Sequence, residues 1–192
     1  MLAGFAIEGF VLSAIALHMV PLLSVLGLGT AGVMVSTLFG PAQVASRLIN
    51  MIFGGRLPQT MLATIGASLL AAGLLMLVLT APSVPGIAVS IVLFGLGSGL
   101  ASIVGGTLPL ELFGRAGYGA RLGWMSGARQ FSSSFAPFIF AFMMAQWSVE
   151  MSLWWLIFIG AAGVVLFTAI ALIQRRTLRK ALPSEIAVLA TE

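Results

Sequence analysis

Six apolar stretches, each long enough to cross a lipid bilayer, follow one another along the chain and leave little else. They cover residues of about 2–26, 31–53, 58–80, 84–109, 119–146 and 151–174. A hydrocarbon core about 30 Å thick needs roughly 20 apolar residues at 1.5 Å of helical rise each, and every stretch reaches that length. The breaks Gly27–Thr30, Gly54–Pro58, Ala81–Pro85, Glu111–Gly117 and Gln146–Glu150 are rich in Gly, Pro or charge, which interrupts helices. Connections this short make neighbouring helices antiparallel. The expected fold is an all-α membrane protein: a six-helix transmembrane bundle over 1–176 and a mildly polar cytoplasmic tail over 177–192.

Composition serves here to exclude. Apolar residues make up 60% of the chain and charged residues 7%, against about 25% charge in a soluble domain, and a soluble fold of this length could not bury so much apolar surface. The net charge of +4 does not point to nucleic acid, because the basic residues lie between spans and in the tail. Cysteine is absent, which removes disulfides, thiolate metal sites and thiol redox chemistry. With no clustered His and acidic ligands and no Gly-x4-Gly-Lys-Ser/Thr loop, neither a metal nor a nucleotide cofactor is expected. The first stretch lacks a basic leader and a small-residue cleavage site, so it reads as a mature span.

Orientation follows from the basic residues. Arg47 and Arg56 flank the second break, Arg115 and Arg121 the fourth, and Arg175, Arg176, Arg179 and Lys180 follow the sixth span. The alternate breaks carry no Lys or Arg. Eight of nine basic residues therefore lie on one side, which the positive-inside rule makes cytoplasmic, with both termini there and the cell's inner membrane as the location. Trp147, Trp154 and Trp155 at the outer ends and Tyr118 at an inner end fit interfacial anchoring. Met1 enters a span almost at once, so the chain is expected to be the second part of something longer.

Polar side chains within spans show which helices line a cavity. Span two carries Ser36, Gly40, Gln43, Arg47 and Asn50 as one helical stripe, and span four carries Gly95, Ser98, Ser102, Gly105 and Pro109. Span five offers Ser126, Gln130, Ser133 and Pro137 with Arg129 beside them, and span one Glu8, Ser13, His18 and Pro21. Spans three and six are nearly all apolar, as lipid-facing scaffold would be. Two triplets with this division of labour, opposite in membrane direction, make the inverted repeat of many secondary transporters. Gly95/Gly99 and Gly119/Gly123/Gly127 read first as helix-packing positions.

Three segments carry a family resemblance. Gly40-Pro41-Ala42-Gln43-Val44-Ala45-Ser46-Arg47, followed by Gly55-Arg56-Leu57, looks like a degenerate cytoplasmic loop motif without its Asp. Leu108-Pro109-Leu110-Glu111-Leu112-Phe113-Gly114-Arg115 with Tyr118-Gly119 looks like the junction of a tenth and eleventh span, and Ala136-Pro137 like the bend of the eleventh. Together they resemble the carboxy-terminal six-helix half of a major facilitator superfamily transporter. The resemblance implies alternating access between two six-helix bundles, so the expected partner is a missing amino-terminal half or a second six-helix chain. It also implies a gate role for Arg47, Glu111 and Arg115.

Arg129 lies roughly 15 Å from the inner end of span five, where a cation costs at least about 2.5–3.5 kcal/mol unless it faces water or an anion. It is the expected ligand of an anionic small-molecule solute, with Gln130, Gln43 and His18 as further substrate contacts. The alternative is that it snorkels or pairs with Glu8. His18 and Glu8 are the candidates for proton coupling, although His18 is more often a hydrogen-bonded core residue and Glu8 sits near the inner interface. The expected function is secondary active transport, not enzymatic. Rival readings are an intramembrane enzyme such as a rhomboid-like protease, which needs Ser98 within reach of His18, and a non-transporting assembly subunit.

Overall fold

The computed structural model describes residues 1–189, with side chains described for residues 1–55 and 57–177. Residues 190–192 of the expected tail, and the side chains of Arg56, Arg179 and Lys180, lie outside the described residues. Seven α-helices make up the described chain: α1 (Leu2–Leu23), α2 (Thr30–Ser36), α3 (Phe39–Phe53), α4 (Gln59–Thr80), α5 (Val84–Phe113), α6 (Tyr118–Gln146) and α7 (Val149–Leu189). Among the described residues four segments are long and apolar enough to cross a membrane, Leu2–Leu28, Gln59–Thr80, Val84–Phe113 and Val149–Thr177. The protein is therefore an all-helical membrane protein.

Two expected spans fall outside those four. The stretch 31–53 is not one helix: it divides at Thr37–Leu38 into α2 and α3. Pro41 lacks the N–H that would bond back to Thr37, and its ring crowds that carbonyl. Ser36 and Thr37 also turn their hydroxyls onto the carbonyls of Val33 and Met34, at 2.7 and 2.6 Å, which competes with the helical ladder. The stretch 119–146 is one continuous helix, α6, but Arg121, Arg129 and its many Gly and Ser residues dilute its apolar character. At the far end α7 continues past Arg175 and Arg176 to Leu189. Arg and Lys are good helix formers, so the basic run ends an apolar segment without ending the helix.

α1 packs along α6 and α7, α4 along α5 and α7, and α3 against α5. One apolar cluster, with Ala14, Leu22, Leu74, Ile87, Phe140 and Leu156 among its members, fills one half of the bundle. A second, around Phe5, Leu62, Leu100, Val104 and Phe167, fills the half ending at the Gly54–Pro58 and Gly114–Gly117 connections. Phe5 and Phe167 meet edge to face at 5.7 Å, a favourable aromatic geometry. The α4·α5 seam is held at backbone distance by glycine. A Cβ at Gly97 would lie 2.8 Å from the Gly66 carbonyl oxygen and 2.9 Å from the Leu70 nitrogen, and one at Gly73 2.9 Å from the Phe94 nitrogen.

Spans three and six, expected to form lipid-facing scaffold, leave large apolar side chains such as Phe158 and Val165 exposed but also bury a face each in the core, and Leu156 has no exposure at all. Ile65 borders an apolar cleft of about 260 Å³ beside α3, together with Ile49, Phe53 and Leu100. An all-apolar sequence gives no stripe by which the buried face could be told from the lipid face.

Candidate functional site

Arg129 is brought to α1 by a glycine. A Cβ at Gly9 would lie 2.7 Å from both Arg129 Cγ and Ser133 Oγ, and 2.9 Å from the Arg129 carbonyl oxygen. Only glycine lets the two helices approach this closely. Ser13 Oγ pins the same crossing by donating to the Ser133 carbonyl at 2.8 Å. From there the half-buried Arg129 side chain reaches α5, where Nη1 lies 3.2 Å from the place a Cβ on Gly105 would occupy. It lines a pocket of about 250 Å³ with Phe5, Ser102, Gly105, Met125 and Ser126.

A second guanidinium approaches the same stretch of α5 from the other side. α3 and α5 meet through small residues: a Cβ at Gly99 would lie 2.6 Å from the Gln43 carbonyl oxygen, and one at Gly95 2.7 Å from Ala42 Cβ. At this seam Ser46 Oγ donates to the Leu96 carbonyl at 2.7 Å, and Gln43 Nε2 donates to Ser98 Oγ at 2.6 Å. One turn further, Arg47 Nη2 donates to Ser102 Oγ at 3.2 Å, while that hydroxyl donates to the Ser98 carbonyl at 3.0 Å. Ser102 thus belongs both to the Arg47 contact and to the Arg129 pocket. Arg47 itself is exposed and lies outside that pocket, reaching it only through Ser102; a guanidinium beside hydroxyls, as Arg129 is in the pocket, favours an anion.

The expected partners of Arg129 are arranged differently. Gln43 is spent on Ser98, and Gln130 is exposed on the open face of α6, so neither lines the Arg129 pocket. Gln130 follows Arg129 directly, and adjacent helical residues point about 100° apart. Ser102, Ser126 and Gly105 take their place, and the polar stripes of spans four and five already contain them. His18 donates Nδ1–H to the Ala14 carbonyl at 3.0 Å and stands edge-on to Phe140 at 5.4 Å, as a satisfied core histidine does. It touches neither the pocket nor Ser98, whose hydroxyl accepts from Gln43.

Glu8 also departs from expectation. It is not a solvated interfacial carboxylate: it is 3% exposed, and neither oxygen has a hydrogen-bond partner. Its surroundings are Ile7, Val11, Ala67, Leu70, Gly160 and Phe167, from α1, α4 and α7. No hydrogen bond joins it to Arg129.

Arg47, Glu111 and Arg115, expected together at a cytoplasmic gate, make no hydrogen bond or ion pair with one another among the described residues. Glu111 closes the start of α4, where its Oε2 accepts the Gln59 backbone N–H at 2.7 Å and its Oε1 accepts from Gln174 Nε2 at 3.0 Å. Gln174 Oε1 accepts from Thr60 at 2.8 Å, and Gln59 Oε1 accepts from Thr107 at 2.6 Å. The ends of α4, α5 and α7 are thereby tied together, with a carboxylate at the positive end of a helix. Arg115 is exposed, and Arg121 bonds the Phe113 carbonyl and lies 4.9 Å from the Phe113 ring centre. Gln59 and Gln174 give no signal in sequence beyond marking span ends. Glu111→Ala is expected to cost about 1 kcal/mol, as loss of a helix cap does. Faster hydrogen exchange at the Gln59 amide would report it, and unchanged exchange would refute the tie.

No protein family, curated protein or solved structure matches this chain.

Proposed function

We propose that the chain is a six-span half of a secondary transporter of the major facilitator type, moving a small anionic solute by alternating access. The observation that carries this reading is the convergence of Arg47 and Arg129, from α3 and α6, on Ser102 and Gly105 of α5 beside a pocket of about 250 Å³. A cation partly buried in a helical bundle, as Arg129 is, costs free energy and marks solute pathways, while the exposed Arg47 adds its charge from α3. The neighbour pattern gives further support. Taking α2 and α3 as one span, exchange of the first three spans for the last three turns α1·α6 into α5·α3 and α4·α5 into α7·α1, and leaves α4·α7 unchanged. That is the relation two inverted repeats would have. A second six-helix bundle is the proposed partner, and α6 offers it a face on which Gly119, Gly123 and Gly127 have nothing within 4 Å.

Uptake tests the function. Membrane vesicles from the source cells, where the partner bundle is present, are expected to accumulate at least one labelled anion among pyruvate, lactate, succinate and phosphate above the level of vesicles from cells lacking the chain; equal accumulation of all four would refute the anion reading. The six-span topology is tested separately, and the absence of native cysteine gives a clean background. Single cysteines at Gly55 and Gly114 are expected to react with an impermeant maleimide from the cytoplasmic side, and cysteines at Gly29 and Ser148 from the opposite side. Labelling of all four from one side would overturn the topology.

A further inference from the structure

α3 and α4 follow one another in the chain and both pack along α5, yet they barely touch each other. The gap between them is the apolar cleft of about 260 Å³, with Ile49 and Phe53 on the α3 side, Ile65 and Leu69 on the α4 side and Leu96 and Leu100 of α5 between. At 1.5 Å per residue its lining runs about 10 Å along each outer helix, from Ser46 to Phe53 and from Leu62 to Leu69. Ile49 and Phe53 are 53% and 74% exposed, so the cleft opens sideways at its rim. It shares no residue with the Arg129 pocket.

Shape and lining narrow what can fill it. A helix 10–12 Å across would need several times this volume over the same length, so a partner helix does not fit. The two polar side chains of the lining are turned onto the protein: Ser46 donates to the Leu96 carbonyl at 2.7 Å, and Asn50 lies against Gly54 with its Oδ1 enclosed and without a donor. An unfilled groove among lipid tails forfeits dispersion contacts that a hydrocarbon chain supplies. Charge then selects the lipid. The cleft ends at the Gly54–Pro58 connection, where the sequence places Arg56. The exposed Arg175 and Arg176 follow the Gln174–Thr60 bond at the same end of the bundle. Basic residues beside a gap between spans draw anionic headgroups.

We propose that the α3–α4 cleft binds one acyl chain of an anionic phospholipid of the cytoplasmic leaflet, with the phosphate at the Gly54–Pro58 connection. The site uses the topology proposed above and is independent of transport. Maleimide labelling at Gly55 tests that topology by itself, so a wrong orientation and an empty cleft are told apart.

Photolabelling decides it. The full chain in phosphatidylcholine vesicles is exposed to a trace of phosphatidylglycerol carrying a diazirine in its acyl chain, and adducts are located by mass spectrometry. Adducts are expected to concentrate on Ile49, Phe53, Ile65 and Leu69 over Phe158 and Val165, which are exposed on α7 away from the cleft. Equal labelling of the two sets would mean annular lipid only and overturn the site. Phosphatidylcholine with the same label is expected to mark the cleft about five-fold less, as loss of one basic contact near a membrane surface gives, and Arg56→Gln is expected to bring phosphatidylglycerol down to that level. Equal labelling by the two lipids in the wild type would overturn the anionic headgroup. Leu96→Phe, which fills the cleft from α5, and Ile65→Phe, which fills it from α4, are expected to lose the cleft adducts and keep those at Val165. Thermal unfolding in detergent identifies which of the two is folded, and cleft labelling that persists in a folded filling variant would refute the proposal.

Discussion

Replacing Gly97 by valine is expected to lower the stability of the bundle by about 3 kcal/mol, near the upper end of what overpacking costs. The Cβ alone would come within 2.8 Å of the Gly66 carbonyl oxygen and 2.9 Å of the Leu70 nitrogen. Those are backbone atoms of α4, so a rotamer change cannot relieve the clash; the helices must part. Parting them also loosens Gly73 against Ser90 and Phe94 one turn further along the same seam. In a bilayer, where lipid tails solvate apolar side chains as well as protein does, such close packing is a main source of helix association. Gly123→Ala is the matched control, because nothing lies within 4 Å of that glycine. There the gain in helix propensity, about 0.5–1 kcal/mol, is expected to show as equal or higher stability. Thermal unfolding of the two variants in the same detergent separates the cases, and a Gly97→Val protein as stable as wild type would disprove the seam.

The sequence marks helix boundaries and membrane-length segments well because both depend on local chemistry. Pro58, Pro85, Gly114 and Gly117 break the ladder wherever they stand, and α4, α5 and α6 start and stop within a few residues of the places these residues predict. The break at Thr37–Leu38 is less visible, since Pro41 lies well inside an apolar run and reads equally well as a kink. What a helix faces is a tertiary matter. Glu8 looks interfacial when residues are counted from Met1, yet its burial is set by Ala67, Leu70, Gly160 and Phe167, each far away in the chain. Glu111 is similar: the residues it binds, Gln59 and Gln174, lie 52 and 63 positions off. The site was partly legible. The polar stripes named Ser102, Gly105, Ser126 and Arg129, but a stripe fixes only the residues on one helix, and the pairing of α3 with α5 decides that Gln43 is consumed by Ser98 and that Arg47 reaches Ser102.

Arg129→Ala is expected to separate function from stability. On the functional side it removes one of two guanidinium groups at the proposed anion site. Hydrogen bonds to charged groups contribute about 1.5–3 kcal/mol, so anion uptake is expected to fall by roughly 10- to 100-fold. Lysine should recover only part, because a compact ammonium keeps the charge but not the planar fork that spans two oxygens. On the structural side the change is expected to be neutral or stabilising. Arg129 crosses Gly9 and Gly105 with no carboxylate paired to it among the described residues, and deleting a cation from a helix that the proposed topology places in the bilayer relieves about 2.5–3.5 kcal/mol on insertion scales. The loss of its aliphatic stem over Gly9 offsets part of that gain. A residue retained for packing behaves the opposite way: its removal costs stability and spares uptake. Uptake and thermal unfolding measured on one preparation of each variant therefore distinguish the two roles, and an Arg129→Ala protein that unfolds earlier while transporting normally would reduce Arg129 to a structural strut.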